Sequence, residues 1–275
     1  MNNIITSYFM DDRREANRLE SKVDAPAFVE KYLTPYVPGN TACILEAGCG
    51  PGMFLEVLAD KYPDCEVTGI DISEDRVNRA NERLSAFANA KATIASVYEL
   101  PFPDKQFDFI YSRFLFEYLD KPVQAAKELY RVCKPGGILF IQDLDNQFTF
   151  YPPVSEKLND CLQNLKLSNG FDPEMGRKLY TICKAAGFSL VNADIEGYHK
   201  IFGIPDEITQ RQWDLKLDIA FANMERLFGK RDHGLKEEIR EALQQEDSIM
   251  YSTAFSIAFT RQDAPKRIRR TNSLK

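Results

Sequence analysis

Between residues 41 and 143, short apolar runs alternate with longer stretches in which apolar positions recur every three or four residues. The short runs are CILEA (43–47), EVTGID (66–71), ATIA (92–95), FDFIYS (107–112) and ILFIQD (138–143), and each reads as a strand. Met53 to Lys61 reads as a helix. A second helix is expected after Ser73, which can cap it, with Glu74 and Asp75 at its positive end. A third follows Pro122, with Val123, Ala126, Leu129 and Val132 on one face. Such alternation implies an α/β fold: a doubly wound, mostly parallel sheet covered on both faces.

The remainder is less regular. Asp172-Pro173 has the form of an N-cap with a first-turn proline. Met175, Leu179, Ile182 and Cys183 form the stripe of that helix, and Gly187 ends it. FSLVNADIEGY (188–198) predicts a sixth strand. Over 207–228, Trp213, Leu217, Phe221, Met224 and Phe228 recur at helical spacing, and Gly229 stops them. Residues 249–260 alternate strictly, with Tyr251, Thr253, Phe255, Ile257 and Phe259 on one face, and predict a seventh strand. The expected organisation is a helical cap (1–35), an α/β domain (36–262) with helical insertions at about 147–180 and 202–248, and a solvated basic tail (263–275).

Composition narrows the function. With 44% hydrophobic and 28% charged residues the chain is globular, and its net charge of −6 argues against nucleic acid as a partner. Two histidines and six scattered cysteines without a C-x-x-C pair predict no metal site and no disulfide framework. The N-terminal residues turn acidic at once, unlike a signal peptide, and no apolar run approaches the ~20 residues of a membrane span. A soluble, cytoplasmic protein is expected.

The residues richest in chemistry are LEAGCGPG (45–52), where a strand hands over to a helix. Gly48, Gly50 and Gly52 keep the backbone bare, so a ligand can press against the turn. The sixth position of a dinucleotide fingerprint is Met53, and the pattern is instead E-x-G-x-G-x-G headed by Glu46. Asp71 closes the next strand, where a carboxylate can take both hydroxyls of a ribose. Further along stand L-P-F-P-D, F-D-F-I-Y-S and R-V-C-K-P-G-G.

In this order the motifs resemble the class I S-adenosylmethionine-dependent methyltransferases, and most of all the small-molecule branch of ubiquinone and menaquinone methyltransferase-like proteins. The resemblance implies S-adenosyl-L-methionine as cofactor. By it, Gly48, Cys49 and Gly50 would contact the methionine part, with Glu46 ordering its amino group. Asp71 would hold the ribose, with Ile72 against the adenine. Ser96 stands at the adenine-edge position, commonly aspartate in the family, followed by Val97. Arg113 and Arg18 are candidates for the cofactor carboxylate.

The expected activity is in-line transfer of a methyl group to an oxygen, nitrogen or carbon of a small aromatic or apolar metabolite. A sulfonium methyl is already activated, so alignment and exclusion of water carry much of the work. Candidate bases are His199 and Glu117, with Tyr8, Tyr111, Tyr198, Asp143 and His233 behind them. Tyr8, Phe148, Tyr151 and Trp213 are candidates for the acceptor pocket. The competing expectations are a cofactor-binding scaffold without turnover and a methyltransferase acting on nucleic acid or protein.

Overall fold

The computed structural model describes residues 14, 23–158, 160, 171–228 and 234–262. Tyr8, Arg18, Cys161, Gly229, His233, the side chains of Met224 and Phe228, and the basic stretch from 263 lie outside the described residues.

Seven strands form one sheet in the order β3-β2-β1-β4-β5-β7-β6. They are β1 (Cys43–Ala47), β2 (Glu66–Asp71), β3 (Ala90–Ile94), β4 (Phe107–Arg113), β5 (Cys133–Tyr151), β6 (Ser189–Phe202) and β7 (Ile249–Thr260). The first five run parallel, and β7 is inserted antiparallel between β5 and β6. Chain order reverses between β1 and β4, so the carboxyl ends of these strands open a crevice, the usual ligand position in such sheets.

Each sheet face carries its own core. Helices α1 (Ala25–Phe28, continued by a π-turn over Val29–Leu33), α2 (Met53–Lys61) and α3 (Glu74–Arg83) cover one face through Phe28, Leu33, Leu55, Leu58, Val77 and Ala80. Helices α4 (Pro122–Val132) and α5 (Leu179–Ala186) cover the other through Ala126, Leu129, Leu179 and Ile182. A third core joins α6 (Glu207–Phe228) and α7 (Leu235–Leu243) to the far ends of β5, β6 and β7, through Trp213, Leu217, Ile239, Phe150, Ile201 and Met250.

Three boundaries differ from expectation. β5 does not stop at Asp143 but runs 19 residues to Tyr151, so the insertion placed at 147–180 begins as strand. Its continuation stays paired with β7 beyond a bulge between Asp145 and Thr149, where Asn146 and Phe148 are left-handed. The helix expected from Asp172 starts as a 3₁₀ turn at Gly176; ahead of it Asp172 Oδ1 accepts from Glu174 N–H at 3.1 Å, Asp172 N–H donates to Glu117 O, and Gln147 N–H donates to Pro173 O. Ser73 stands at the N-cap of α3 without a side-chain capping bond.

Candidate functional site

The glycine turn is pinned to the end of β2. Gly48 N–H and Cys49 N–H both donate to Ile70 O, at 2.8 and 2.9 Å. Gly50 N–H donates to Asp71 Oδ2 at 2.9 Å, and Ser73 N–H to Asp71 Oδ1 at 3.0 Å. Asp71 is thus a strut between the turn and the start of α3 as well as an acceptor at the crevice. Gly50 is left-handed, and a Cβ there would meet nothing within 4 Å, so the turn has an open side. Gly48 faces Leu115, which a Cβ would approach to 3.2 Å, so the segment after β4 packs straight onto the turn.

Gly69 of β2 supports the turn from below. A Cβ on it would lie 2.4 Å from Leu55 Cδ1 and 2.8 Å from Cys49 Sγ. Gly69→Ala is therefore expected to destabilise the protein by about 1–3 kcal/mol by overpacking. Because Cys49 belongs to the turn, cofactor affinity should fall too. Urea unfolding and calorimetric titration check both, and wild-type values in the variant would contradict this packing.

Glu46 and Tyr111 lie in register on β1 and β4, both buried. Burial, reinforced by Asp71, pushes the Glu46 carboxyl well above its ordinary range, with Tyr111 and Arg113 opposing. Burial likewise raises the Cys49 thiol, which is a packing group rather than a thiolate nucleophile. Arg113 at the end of β4 donates to Gln142 Oε1 and to the Tyr198 hydroxyl, at 3.0 and 3.1 Å. Its guanidinium lies 3.9 Å from the Phe114 ring centroid and 5.0 Å from that of Phe28. Among the described residues no carboxylate forms an ion pair with it. Phe114, beside it, is left-handed, a strained conformation of the kind that clusters at ligand sites.

On the β2–β3 side, Ile72 is half exposed and Val97 is buried. The Ser96 hydroxyl accepts from Tyr98 N–H at 3.3 Å, which leaves its own proton and one lone pair for another partner.

Glu117 is not a helix-surface residue. It sits on a 3₁₀ turn, only 3% exposed, beside the fully buried Asp143 of β5. Glu117 N–H donates to Asp143 Oδ2, and Gln147 Nε2 donates to Glu117 Oε2 at 2.6 Å. Desolvation raises both acids. Lys216 of α6 and bonds from Tyr118 and Gln147 partly support charge on Glu117, whereas the charge of Glu117 drives Asp143 further up. The two acids therefore titrate as one coupled pair, shifted upward by burial and able to share a proton.

Lys216 also stands 5.2 Å from the Phe148 ring centroid and 4.7 Å from that of Trp213. Phe148 and Trp213 meet edge to face at 6.1 Å. The structure thus brings Glu117, Phe148 and Trp213 together through Lys216, and it leaves Tyr151 out: 68% exposed at the outer end of β5, Tyr151 lines no enclosed space. His199 lies within β6, not after it, and is buried. Its Nδ1 is 2.8 Å from Ser252 Oγ, and its ring packs against Trp213 and Tyr198. Gln147 and Lys216 escaped the sequence reading. Lys216 is three positions from Trp213 on one helix, a spacing that places both on one face.

Comparison with known proteins agrees with this geometry. Residues 45–141 match the family model described as a methyltransferase domain. The chain is 30% identical over 239 residues to an uncharacterized methyltransferase of Schizosaccharomyces pombe, covering 81% of this chain and 84% of that one. It is 26% identical to the 2-methyl-6-phytyl-1,4-hydroquinone methyltransferase of Synechocystis, over 92% of this chain and 76% of the relative. Among solved structures, Haemonchus contortus phosphoethanolamine N-methyltransferase 2 in complex with S-adenosyl-L-methionine superposes with a TM-score of 0.54 at 18% identity, covering 84% of this chain and 51% of that one. The [4+2]-cyclase SpnF superposes at 0.57 with 17% identity, over 87% and 81%. Those two likenesses speak for the fold alone. The chain belongs to the class I S-adenosylmethionine-dependent methyltransferases, in their small-molecule branch.

Proposed function

We propose that this enzyme methylates an oxygen, nitrogen or carbon of a small aromatic or apolar metabolite, at an atom that gives up a proton to Glu117. The observation that carries this reading is the buried Glu117–Asp143 pair on a segment packed against the glycine turn, with Lys216 of α6 in its field. The curated relatives named for a hydroquinone, an acyl-carrier malonyl group and trans-aconitate support a small acceptor. Among the described residues no helix is long and apolar enough to cross a membrane. The free thiols of Cys43, Cys49, Cys65, Cys133 and Cys183 are compatible with a reducing, cytoplasmic setting.

The bare turn at Gly50, Asp71 and the unpaired buried Glu46 oxygen fit S-adenosylmethionine. Gly48, Cys49, Gly50 and Glu46 would hold its methionine part, Arg113 its carboxylate, Asp71 its ribose, and Ile72, Ser96 and Val97 its adenine. When bound, the cofactor supplies a methyl group already activated toward nucleophiles. The protein's own residues do the rest. Phe148 and Trp213 orient the acceptor and exclude water, and Glu117 takes the proton with Asp143 tuning its affinity.

His199 serves the packing around Trp213 rather than proton transfer. His199→Gln should lower kcat/KM by less than about tenfold. Trp213→Ala, which removes the alignment wall, should lower it by about 10²-fold. The reverse order would return the base to His199. The acceptor is found by incubating a metabolite extract with labelled S-adenosylmethionine and identifying by mass spectrometry what gains the label. No labelled product despite cofactor binding would refute the activity.

A further inference from the structure

Two buried polar atoms beneath the glycine turn make no hydrogen bond: Glu46 Oε2 and the hydroxyl of Tyr111. They belong to directly paired positions of β1 and β4, so both side chains rise on the same sheet face. Tyr111 is wholly buried, stacked on Phe109 at 5.9 Å, and Glu46 is 2% exposed. An orphaned donor beside an orphaned acceptor costs stability, and such an arrangement persists where a ligand completes it. The two groups lie close enough for each to shift the other's proton affinity, but neither Glu46 Oε2 nor the Tyr111 hydroxyl meets a partner at full hydrogen-bond geometry.

We propose that Tyr111 is a cofactor-positioning residue whose hydroxyl turns onto the Glu46 carboxylate when the cofactor's ammonium binds, and that binding releases to solvent the proton that Glu46 holds in the cofactor-free chain. The inference rests on the cofactor assignment above. The groups that face Glu46 explain the direction. Asp71 from β2 disfavours its charge, Arg113 from β4 favours it, and Tyr111 is neutral. Cys49 in the turn is an undissociated thiol, within the field of Arg76 from α3. Burial is the largest of these influences and favours the neutral carboxyl, which a cation beside it would oppose. An incoming ammonium is that cation. The carboxyl O–H bond breaks, the proton leaves to buffer, and the carboxylate then has two partners, the ammonium and the Tyr111 O–H.

Affinity should therefore rise with pH, by at most tenfold per unit, wherever free Glu46 is protonated and bound Glu46 is not. The probe is S-adenosylhomocysteine, which has the same ammonium and does not turn over. It is titrated calorimetrically between about pH 5.5 and 7.5, below the range of roughly 7.7–8.0 in which an α-amino group itself titrates. Titrations in buffers of different ionisation enthalpy should show between about one half and one proton released per site. Glu46→Gln mimics the neutral acid and should abolish that release. Tyr111→Phe should leave the cofactor-free melting temperature unchanged or raised, since an orphaned hydroxyl is gone, while weakening the probe about 5–50-fold.

Wild-type heats independent of buffer would overturn the proton release, as would release that survives in Glu46→Gln. Wild-type affinity in Tyr111→Phe would overturn the positioning role. A wild-type chain that bound no S-adenosylhomocysteine at any pH would instead strike the cofactor assignment itself.

Discussion

Glu117→Gln lowers the methyl-transfer rate by ~10²–10⁴-fold on an acceptor that must shed a proton, and leaves S-adenosylhomocysteine affinity unchanged. The magnitude follows from what the glutamine keeps and what it loses. It retains the shape and the carboxamide oxygen that Gln147 contacts, but it cannot accept a proton. Asp143 is a poor substitute, because its full burial disfavours the ionised form. Single-turnover rates over pH 6–9 separate this from misalignment: loss of the base removes the rising limb of the profile, whereas misalignment lowers the whole curve. A variant that keeps wild-type rates would return the reaction to alignment alone.

The same pair has a stability signature. Its folded-state proton affinity lies above the unfolded carboxylate value, so its contribution is complete below that value and is lost as pH rises through the folded one. Asp143→Asn removes a buried acid that must ionise at high pH. The variant should thus melt higher than wild type near pH 9, with no gain near pH 5, while turning over more slowly. Parallel melting curves at both pH values would show that the pair does not share a proton.

The parts that local pattern controls were legible. The strand read from strict alternation at 249–260 matches β7 at both ends. The glycine turn and Asp71 were equally readable, because bare backbone and a strand-end carboxylate are one-residue requirements. What failed was decided by distant partners. Polar Asp145, Asn146 and Gln147 look like the end of β5, but antiparallel pairing with β7 carries the strand through them, and Arg177 neutralises the buried Asp145. At Asp172 the carboxylate does accept from Glu174 N–H, yet regular turns begin only at Gly176. Glu117 stands among apolar neighbours, Phe116 and Tyr118 on either side, but nothing local says what would partner a buried carboxyl there. Its setting depends on Asp143 and Gln147 of β5 and on Lys216 of α6, all distant in sequence.

Asp71→Ala should weaken S-adenosylhomocysteine binding by about 1.5–3 kcal/mol, the worth of a charge-assisted acceptor for ribose hydroxyls. In the structure this carboxylate has a second duty, so the variant is not silent in the absence of ligand. Gly50 N–H and Ser73 N–H lose their shared acceptor, and the start of α3 comes loose from the turn. Both residues are only half-buried, so water can replace the lost partner. The stability cost should stay near that of ordinary hydrogen bonds, about 0.5–1.5 kcal/mol for each. Asp71→Asn tells the two duties apart. Its amide oxygen can still accept from one of the two N–H groups and hold the turn, but its charge is gone, so stability should largely return while affinity does not. Calorimetric titration and urea unfolding of the three proteins give both quantities. If the alanine variant binds S-adenosylhomocysteine as tightly as wild type, Asp71 is a strut only, and the ribose is held by something else in the crevice.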